Sequence, residues 1–135
     1  GIPVELALLP FVESEFDPYA QSLYGATGMW QFLPATGREW GLKTNWWYDG
    51  KRDVIASTEA AFNFLIYLHQ KFDGDWLLAI AAYNAGPGTV QKYGVGATEE
   101  NKNYYPGIIA KAAKYGYGAT ALNDPSIIRP SMQVN

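Results

Sequence analysis

The chain is most informative first in what it lacks. It contains no cysteine, which excludes disulfides, thiol nucleophiles and thiolate metal sites. It has a single histidine, His69, so neither a histidine metal cage nor a Ser-His-Asp triad is expected, and no metal or cofactor is called for. No run of Lys or Arg stands out and the net charge is −3, so there is no electrostatic footprint for nucleic acid. The longest apolar runs, Leu6–Val12 and Trp76–Tyr83, are too short to cross a bilayer. There is no internal repeat and no low-complexity stretch. Between residues 18 and 38 there is not one Asp or Glu.

What is present fits a folded domain. With 135 residues, 48% apolar and 17% charged, the chain has the size and composition of one domain with a proper core. Ten Tyr, six Phe and five Trp make it rich in flat apolar rings, which fill cores and also suit sugar rings. It opens directly in structured-looking sequence, which suggests an excised domain whose signal, anchor or accessory modules lie elsewhere.

Periodicity and punctuation predict a mostly helical chain. Pro3 suits a first helical turn, and Val4–Glu15 reads as a helix that Pro10 kinks or breaks. Asp17-Pro18 ends it. Tyr24–Gly28 is turn-rich, Met29–Leu33 reads as a short strand or extended piece, and Pro34–Trp40 as a short helix stopped at Gly41. Asn45–Lys51 is a polar, aromatic loop, with Trp46-Trp47-Tyr48 read as loop packing rather than a sugar platform. Asp53 or Ser57 caps a long helix to about Phe72, with Ala61, Leu65, Leu68 and Phe72 on one face and His69 solvated on the other. Asp75 caps Trp76–Asn84, which Gly86-Pro87-Gly88 ends. Asn101–Lys114 is the last helix. Residues 1–118 form the domain, and 119–135 read as an extended tail leading out of it.

Among the polar residues, Glu13 lies where a helix ends, with Phe11, Val12 and Phe16 around it. Desolvation there favours its neutral form, as a general acid for glycosidic cleavage requires. Taken alone, a solvated Glu at a helix end is the commoner case. Ser22 and Gln31 stand among apolar residues beside Gly25 and Gly28, which let a ligand approach the backbone. Tyr83 and Asn84 close an apolar helix just before its glycine stop. There a hydroxyl can orient a carboxylate and an amide can grip a sugar hydroxyl or acetamide, though an Asn cap beside a core Tyr is the plainer account.

The ordered set is more specific than any member. Glu13-Ser14-x-Phe16-Asp17-Pro18-x-Ala20-x-Ser22, then Gly25-Ala26-x-Gly28-Met29-Trp30-Gln31-Phe32-Leu33-Pro34-Ala35-Thr36-Gly37, then Ala82-Tyr83-Asn84-Ala85-Gly86, resembles the lytic transglycosylases of glycoside hydrolase family 23. Asp49-Gly50-x-Arg52-Asp53-Val54-x-Ala56-Ser57-Thr58 and Phe72–Leu78 resemble the membrane-bound lytic murein transglycosylase D branch, and the likeness runs over residues 2–115. It implies a mainly α, lysozyme-like α+β fold, with a small glycine-rich extended region lining a substrate groove. It implies a lytic murein transglycosylase that cleaves peptidoglycan between N-acetylmuramic acid and N-acetylglucosamine and leaves 1,6-anhydro ends. Glu13 matches the catalytic acid/base. Ser22 and Gln31 match groove positions, and Met29 (where the family more often has Leu) and Leu33 match its apolar lining. Tyr83 matches the tyrosine that contacts the catalytic glutamate, and Asn84 its motif partner. Glu100-x-x-x-Tyr104 matches an element across the groove. The partner implied is the glycan strand, and the setting is the periplasm or envelope of a Gram-negative bacterium, with any outer-membrane anchor outside this chain. A monomer is expected. The alternatives are a goose-type lysozyme hydrolase, against which the carboxylate-free stretch 18–38 argues, a silent peptidoglycan-binding module, and a phage or secretion-system enzyme of the same chemistry.

Overall fold

The computed structural model describes residues 2–3, 6–7, 9–96 and 98–114. The expected tail at 119–135 lies outside the described residues. The fold is helical: α1 (Leu9–Ser14), α2 (Pro34–Glu39), α3 (Val54–Lys71), α4 (Trp76–Ala85), α5 (Pro87–Tyr93) and α6 (Glu99–Lys114), with a 3-10 turn at Gly50–Arg52. By contact, the chain divides into two compact units, Ala7–Phe64 and Gly1–Leu6 with Leu65–Asn135. None of the described helices is long and apolar enough to cross a membrane.

In the Ala7–Phe64 unit, proline decides where the first helix starts. Pro10 is the second residue of α1, where a missing N–H costs nothing, and Leu6-Ala7 form a separate 3-10 turn. The break expected at Pro10 is therefore real, and α1 is short. Residues 20–33, by contrast, correct the expectation of a strand at Met29–Leu33. Met29, Trp30 and Gln31 form a turn, and the β structure consists of isolated bridges, Gln21 to Thr27 and Thr27 to Phe32. The apolar residues there belong to a tight loop around a buried anchor. Trp30 is fully buried, lies edge-to-face on Phe62 and donates its indole N–H to Thr58 Oγ1 at 2.9 Å. Burial of such a side chain contributes on the order of 3 kcal/mol, and the indole N–H is not left unpaired. Phe32, Leu42, Ala60, Ala61 and Phe64 complete this core.

Asp53 rather than Ser57 caps α3: its Oδ1 accepts from the Ala56 N–H at 2.9 Å. Asp49 begins the 3-10 turn, accepting from the Lys51 N–H. The loop between Thr44 and Asp49 also corrects the sequence reading. Asn45 Oδ1 accepts from the N–H groups of Trp47 and Tyr48, so the loop is pinned, yet Trp46 is 90% and Trp47 71% exposed. The two indoles pack on each other, edge-to-face at 4.9 Å, and not into the core.

In the Leu65–Asn135 unit, α4 is buried from Trp76 to Ala82, and α5 and α6 pack against it. Asp75 caps it as expected, Oδ1 accepting from Leu77 and Leu78. Gly86, at φ 93°, ends it, but the chain turns at once into α5, a helix absent from the sequence reading. Pro87 at its first turn was the available signal. His69 is half-buried rather than fully solvated: its ring stacks on Trp76 with centroids 4.2 Å apart. Leu65, Leu68, Val90 and Ile108 are buried here.

Candidate functional site

Glu13 sits in the last turn of α1, half-buried. The chain then reverses through two consecutive left-handed residues, Glu15 (φ 54°) and Phe16 (φ 61°). For residues with a Cβ this conformation costs on the order of 1 kcal/mol each, and such strain persists where the surroundings enforce it. Here the reversal returns Phe16 onto Phe11, edge-to-face at 5.8 Å, so aromatic rings precede and follow Glu13. Ser14 ties the helix end to the glycine-rich turn: its Oγ lies 2.8 Å from Met29 O and 3.1 Å from Pro10 O, and its one proton serves these two carbonyls.

The turn is fixed through backbone. Gly28, at φ 83°, lies against Lys51, where a Cβ would come within 1.8 Å of the carbonyl oxygen. Only glycine meets both demands. Gln31 is left-handed at φ 53°, and its Nε2 donates to Gly28 O at 2.8 Å and, more weakly, to Ala20 O at 3.4 Å. Both partners are carbonyls, so the amide direction is set and Oε1 is the end left to accept from a ligand. Ser22 has the complementary polarity. Its Oγ accepts from Ala26 N at 3.0 Å and Tyr24 N at 3.3 Å, leaving the hydroxyl proton to donate. Met29 is half-buried and Leu33 exposed, the latter as the cap residue of α2. Glu13, Ser22, Met29, Gln31 and Leu33 thus share one compact unit, and the first four lie on segments bonded to one another.

Two carboxylates further along the same unit, Asp49 and Asp53, are engaged elsewhere. Asp49 Oδ1 pairs with the buried Lys51 at 2.9 Å. Burial pushes the Asp49 carboxyl up, but the hydrogen bonds and charge of Lys51 outweigh it, and the net shift is below the ordinary carboxylate range. Asp53 is also lowered, first by the Ala56 N–H and then by the Tyr48 hydroxyl, which donates to Oδ2 at 3.0 Å. In turn, the bond to Asp53 raises the Tyr48 phenol.

The other candidates belong to the Leu65–Asn135 unit. Tyr83 and Asn84 are half-buried at the end of α4. Glu100 is exposed in the first turn of α6, and Asn84 Nδ2 donates to its Oε1 at 3.2 Å. The sequence reading missed Asn101, which is 1% exposed and bonded to Asn84. A buried amide bonded to a candidate residue on another helix leaves no periodic trace. Tyr104 is 6% exposed, a core residue with little surface left for a ligand. Among the described residues no group of three His, Cys, Asp or Glu could hold a metal.

A family model described as the Transglycosylase SLT domain matches residues 2–106. The chain belongs to this family. Membrane-bound lytic murein transglycosylase D of Escherichia coli K12 is 46% identical over 124 residues, covering 82% of the chain and 27% of that protein. The peptidoglycan transglycosylase gp16 of phage T7 is 38% identical over 112 residues, 73% of the chain and 8% of that protein. The chain thus spans about a quarter or less of these relatives. The 70 kDa soluble lytic transglycosylase of E. coli superposes with a TM-score of 0.71 at 23% identity, over 98% of the chain and 24% of that structure. A lytic transglycosylase Slt from Pseudomonas aeruginosa, solved as an inactive glutamate-to-glutamine mutant, gives 0.63 at 24%, over 84% of the chain and 22% of that structure. These likenesses bear out the helical, lysozyme-like fold.

Proposed function

We propose that this chain is the catalytic domain of a lytic murein transglycosylase, with Glu13 as its single acid and base. The observation that carries the reading is the setting of Glu13: a half-buried carboxyl at a helix end, fastened by Ser14 to a turn whose Gln31 and Ser22 offer one acceptor and one donor. Glycan hydroxyls and acetamido groups supply the complementary donors and acceptors. The branch D and phage relatives carry transglycosylase names, and the inactive Pseudomonas protein differs by a glutamate-to-glutamine change. Such relatives favour a setting in the envelope of a Gram-negative bacterium, with peptidoglycan as partner.

In the proposed reaction the Glu13 carboxyl gives its proton to the oxygen bridging N-acetylmuramic acid and N-acetylglucosamine, and the C1–O bond breaks. The carboxylate then takes the proton of the C6 hydroxyl of the same muramyl sugar as O6 bonds to C1. Glu13 ends protonated, a 1,6-anhydro end forms and no water is consumed. Placing the nucleophile on the substrate supplies much of the advantage over water, and departs from the usual pair of carboxylates. Against goose-type hydrolysis stands the stretch 18–38, which lacks any acid. Glu39, next along the chain, is exposed at the end of α2, and Asp49 and Asp53 beyond it are committed to Lys51 and to the α3 cap.

The test is digestion of purified sacculi by this domain and by Glu13→Gln, with the released ends identified by mass spectrometry. Anhydro-muramyl ends from the parent, reduced at least about 100-fold in the variant, are expected. Reducing muramic ends, one water heavier, would assign a hydrolase instead. Sacculus binding without product from either protein would assign a binding module.

A further inference from the structure

The junction of α4 and α6 contains a chain of hydrogen bonds whose direction can be read from one end to the other. Asn101 Nδ2 donates to Ala81 O at 2.9 Å, and Asn101 Oδ1 accepts from Gly96 N at 3.0 Å. A carbonyl only accepts and a peptide N–H only donates, so these two backbone groups fix which way the buried Asn101 amide faces. The second proton of Asn101 Nδ2 goes to Asn84 Oδ1 at 3.1 Å. The oxygen end of Asn84 is therefore taken, and its NH₂ end is the one turned to Glu100, at 3.2 Å. Nothing on α4 alone fixes this. An amide at the end of a helix can sit either way, and the two ways present opposite polarity.

Asn101 is itself held: its own N–H donates to Thr98 Oγ1 at 3.0 Å, which caps α6. Its side chain is 1% exposed, so removing or reversing it leaves backbone groups unpaired in a dry setting. Outside the relay, one Asn84 proton and the Glu100 carboxylate remain for a ligand. Together they form a donor beside an acceptor, which suits a secondary amide or a hydroxyl.

We propose that Asn101 is the positioning residue that sets the polarity of the Asn84–Glu100 pair. Its ligand-facing part rests on the reading of this domain as a glycan-strand enzyme; the polarity itself does not. Asn101→Asp keeps the acceptor for Gly96 and loses both donors. Asn84 must then turn its NH₂ to residue 101 and its oxygen to Glu100, so two acceptors face each other. Glu100→Gln by itself is nearly silent, because the glutamine oxygen can still accept from Asn84. In the double variant the glutamine NH₂ faces the turned Asn84 oxygen, and the pair is restored with its polarity reversed.

The experiment is a double-mutant cycle over Asn101→Asp and Glu100→Gln, read by urea denaturation of the whole chain. The proposal expects Glu100→Gln to recover at least about fivefold in the folded-to-unfolded ratio when residue 101 is Asp, and little when it is Asn. Additive effects would overturn it, since a residue that merely packs loses the same in either background. Should Asn101→Asp not fold, NMR of the parent decides. As acid protonates Glu100, a side-chain amide proton of Asn84 is expected to shift, that of Asn103 to stay, and Glu100→Gln to abolish the shift. An unmoved Asn84 resonance would overturn the proposal. Both readouts are taken without substrate, so they stand or fall apart from Glu13 and from the product assay.

Discussion

The turn at residues 20–33 and the junction of α4 with α6 both hold candidate ligand-contacting groups, by opposite means. In the turn, backbone does the holding. Gly28 lies against the Lys51 carbonyl, Gln31 is left-handed, and side-chain amides and hydroxyls are spent on peptide groups. At the junction, regular helices bring side chains together, and a buried amide sets the direction of an exposed pair. The first arrangement tolerates almost no change of backbone, while the second tolerates changes of shape better than changes of polarity. Among the described residues, three of the four left-handed non-glycine residues, Glu15, Phe16 and Gln31, lie in the Ala7–Phe64 unit at or near candidate positions.

The sharpest test of that difference is Gly28→Ala. A methyl 1.8 Å from Lys51 O, at φ 83°, forces the turn and the 3-10 segment apart. We expect a loss of about 3 kcal/mol in urea denaturation, with the proposed transglycosylase activity falling further than stability explains. Gly88→Ala, with nothing within 4 Å and a place in the first turn of α5, is the control and should leave stability within about 0.5 kcal/mol.

Second is the ion pair beneath the same turn. Asp49→Asn leaves the largely buried Lys51 ammonium with Thr44 Oγ1 at 3.3 Å but no countercharge, at a cost of about 2 kcal/mol at neutral pH. The Asp49 carboxyl is held below its unfolded value. Its stabilisation is therefore present above the unfolded-state pKa of about 4 and lost as pH falls through the lower, folded one. Denaturation midpoints measured from pH 6 to pH 2 should fall less steeply for Asp49→Asn than for the parent. Equal slopes would mean that the pair contributes nothing.

Third is the tie between the two segments of the candidate site. Ser14→Ala removes the bond to Met29 O and should cost about 1 kcal/mol. A merely local effect would leave catalysis in proportion to folded protein. If the tie aligns Glu13 with the turn, turnover drops several-fold at temperatures where the variant is fully folded.

How much of this was legible in sequence follows the same division. Features written in single residues were readable: the breaks at Pro10 and Gly86, the cap at Asp75, the cap of α3 as one of two choices, Asp53 or Ser57, and the buried face of Ala61, Leu65 and Leu68. The glycines of the turn could be flagged but not its shape. Met29–Leu33, mostly apolar, reads as strand or extended chain, yet Trp30 is buried because the loop wraps around it. α5 was missed because Gly86-Pro87-Gly88 signals a stop as strongly as Pro87 signals a start. The roles proposed for Glu13, Ser22, Gln31, Tyr83 and Asn84 rest on an ordered motif set, since each alone reads as an ordinary helix or turn residue. Asn101 was invisible. Its proposed role depends on three partners that are five, 17 and 20 residues away, one in the loop before α6 and two on α4.

The smallest expected effect concerns the loop that obeys neither pattern. Trp46 and Trp47 project from a loop pinned by Asn45, and aromatic residues in a loop were expected to pack. At 90% and 71% exposure they have little apolar area to lose on unfolding beyond what they share with each other. Trp46→Ala should therefore change stability by less than about 1 kcal/mol, the scale of one edge-to-face aromatic pair. Asn45→Ala should cost about as much, although it deletes no ring, because it frees two backbone N–H groups that the side chain now satisfies. Equal losses from the ring and from the pin would show that the loop is held by its hydrogen bonds, as the neighbouring turn is. A much larger loss from Trp46→Ala would instead mean that the ring is buried in solution, and the Trp emission maximum of the parent would already lie to the blue of an exposed indole.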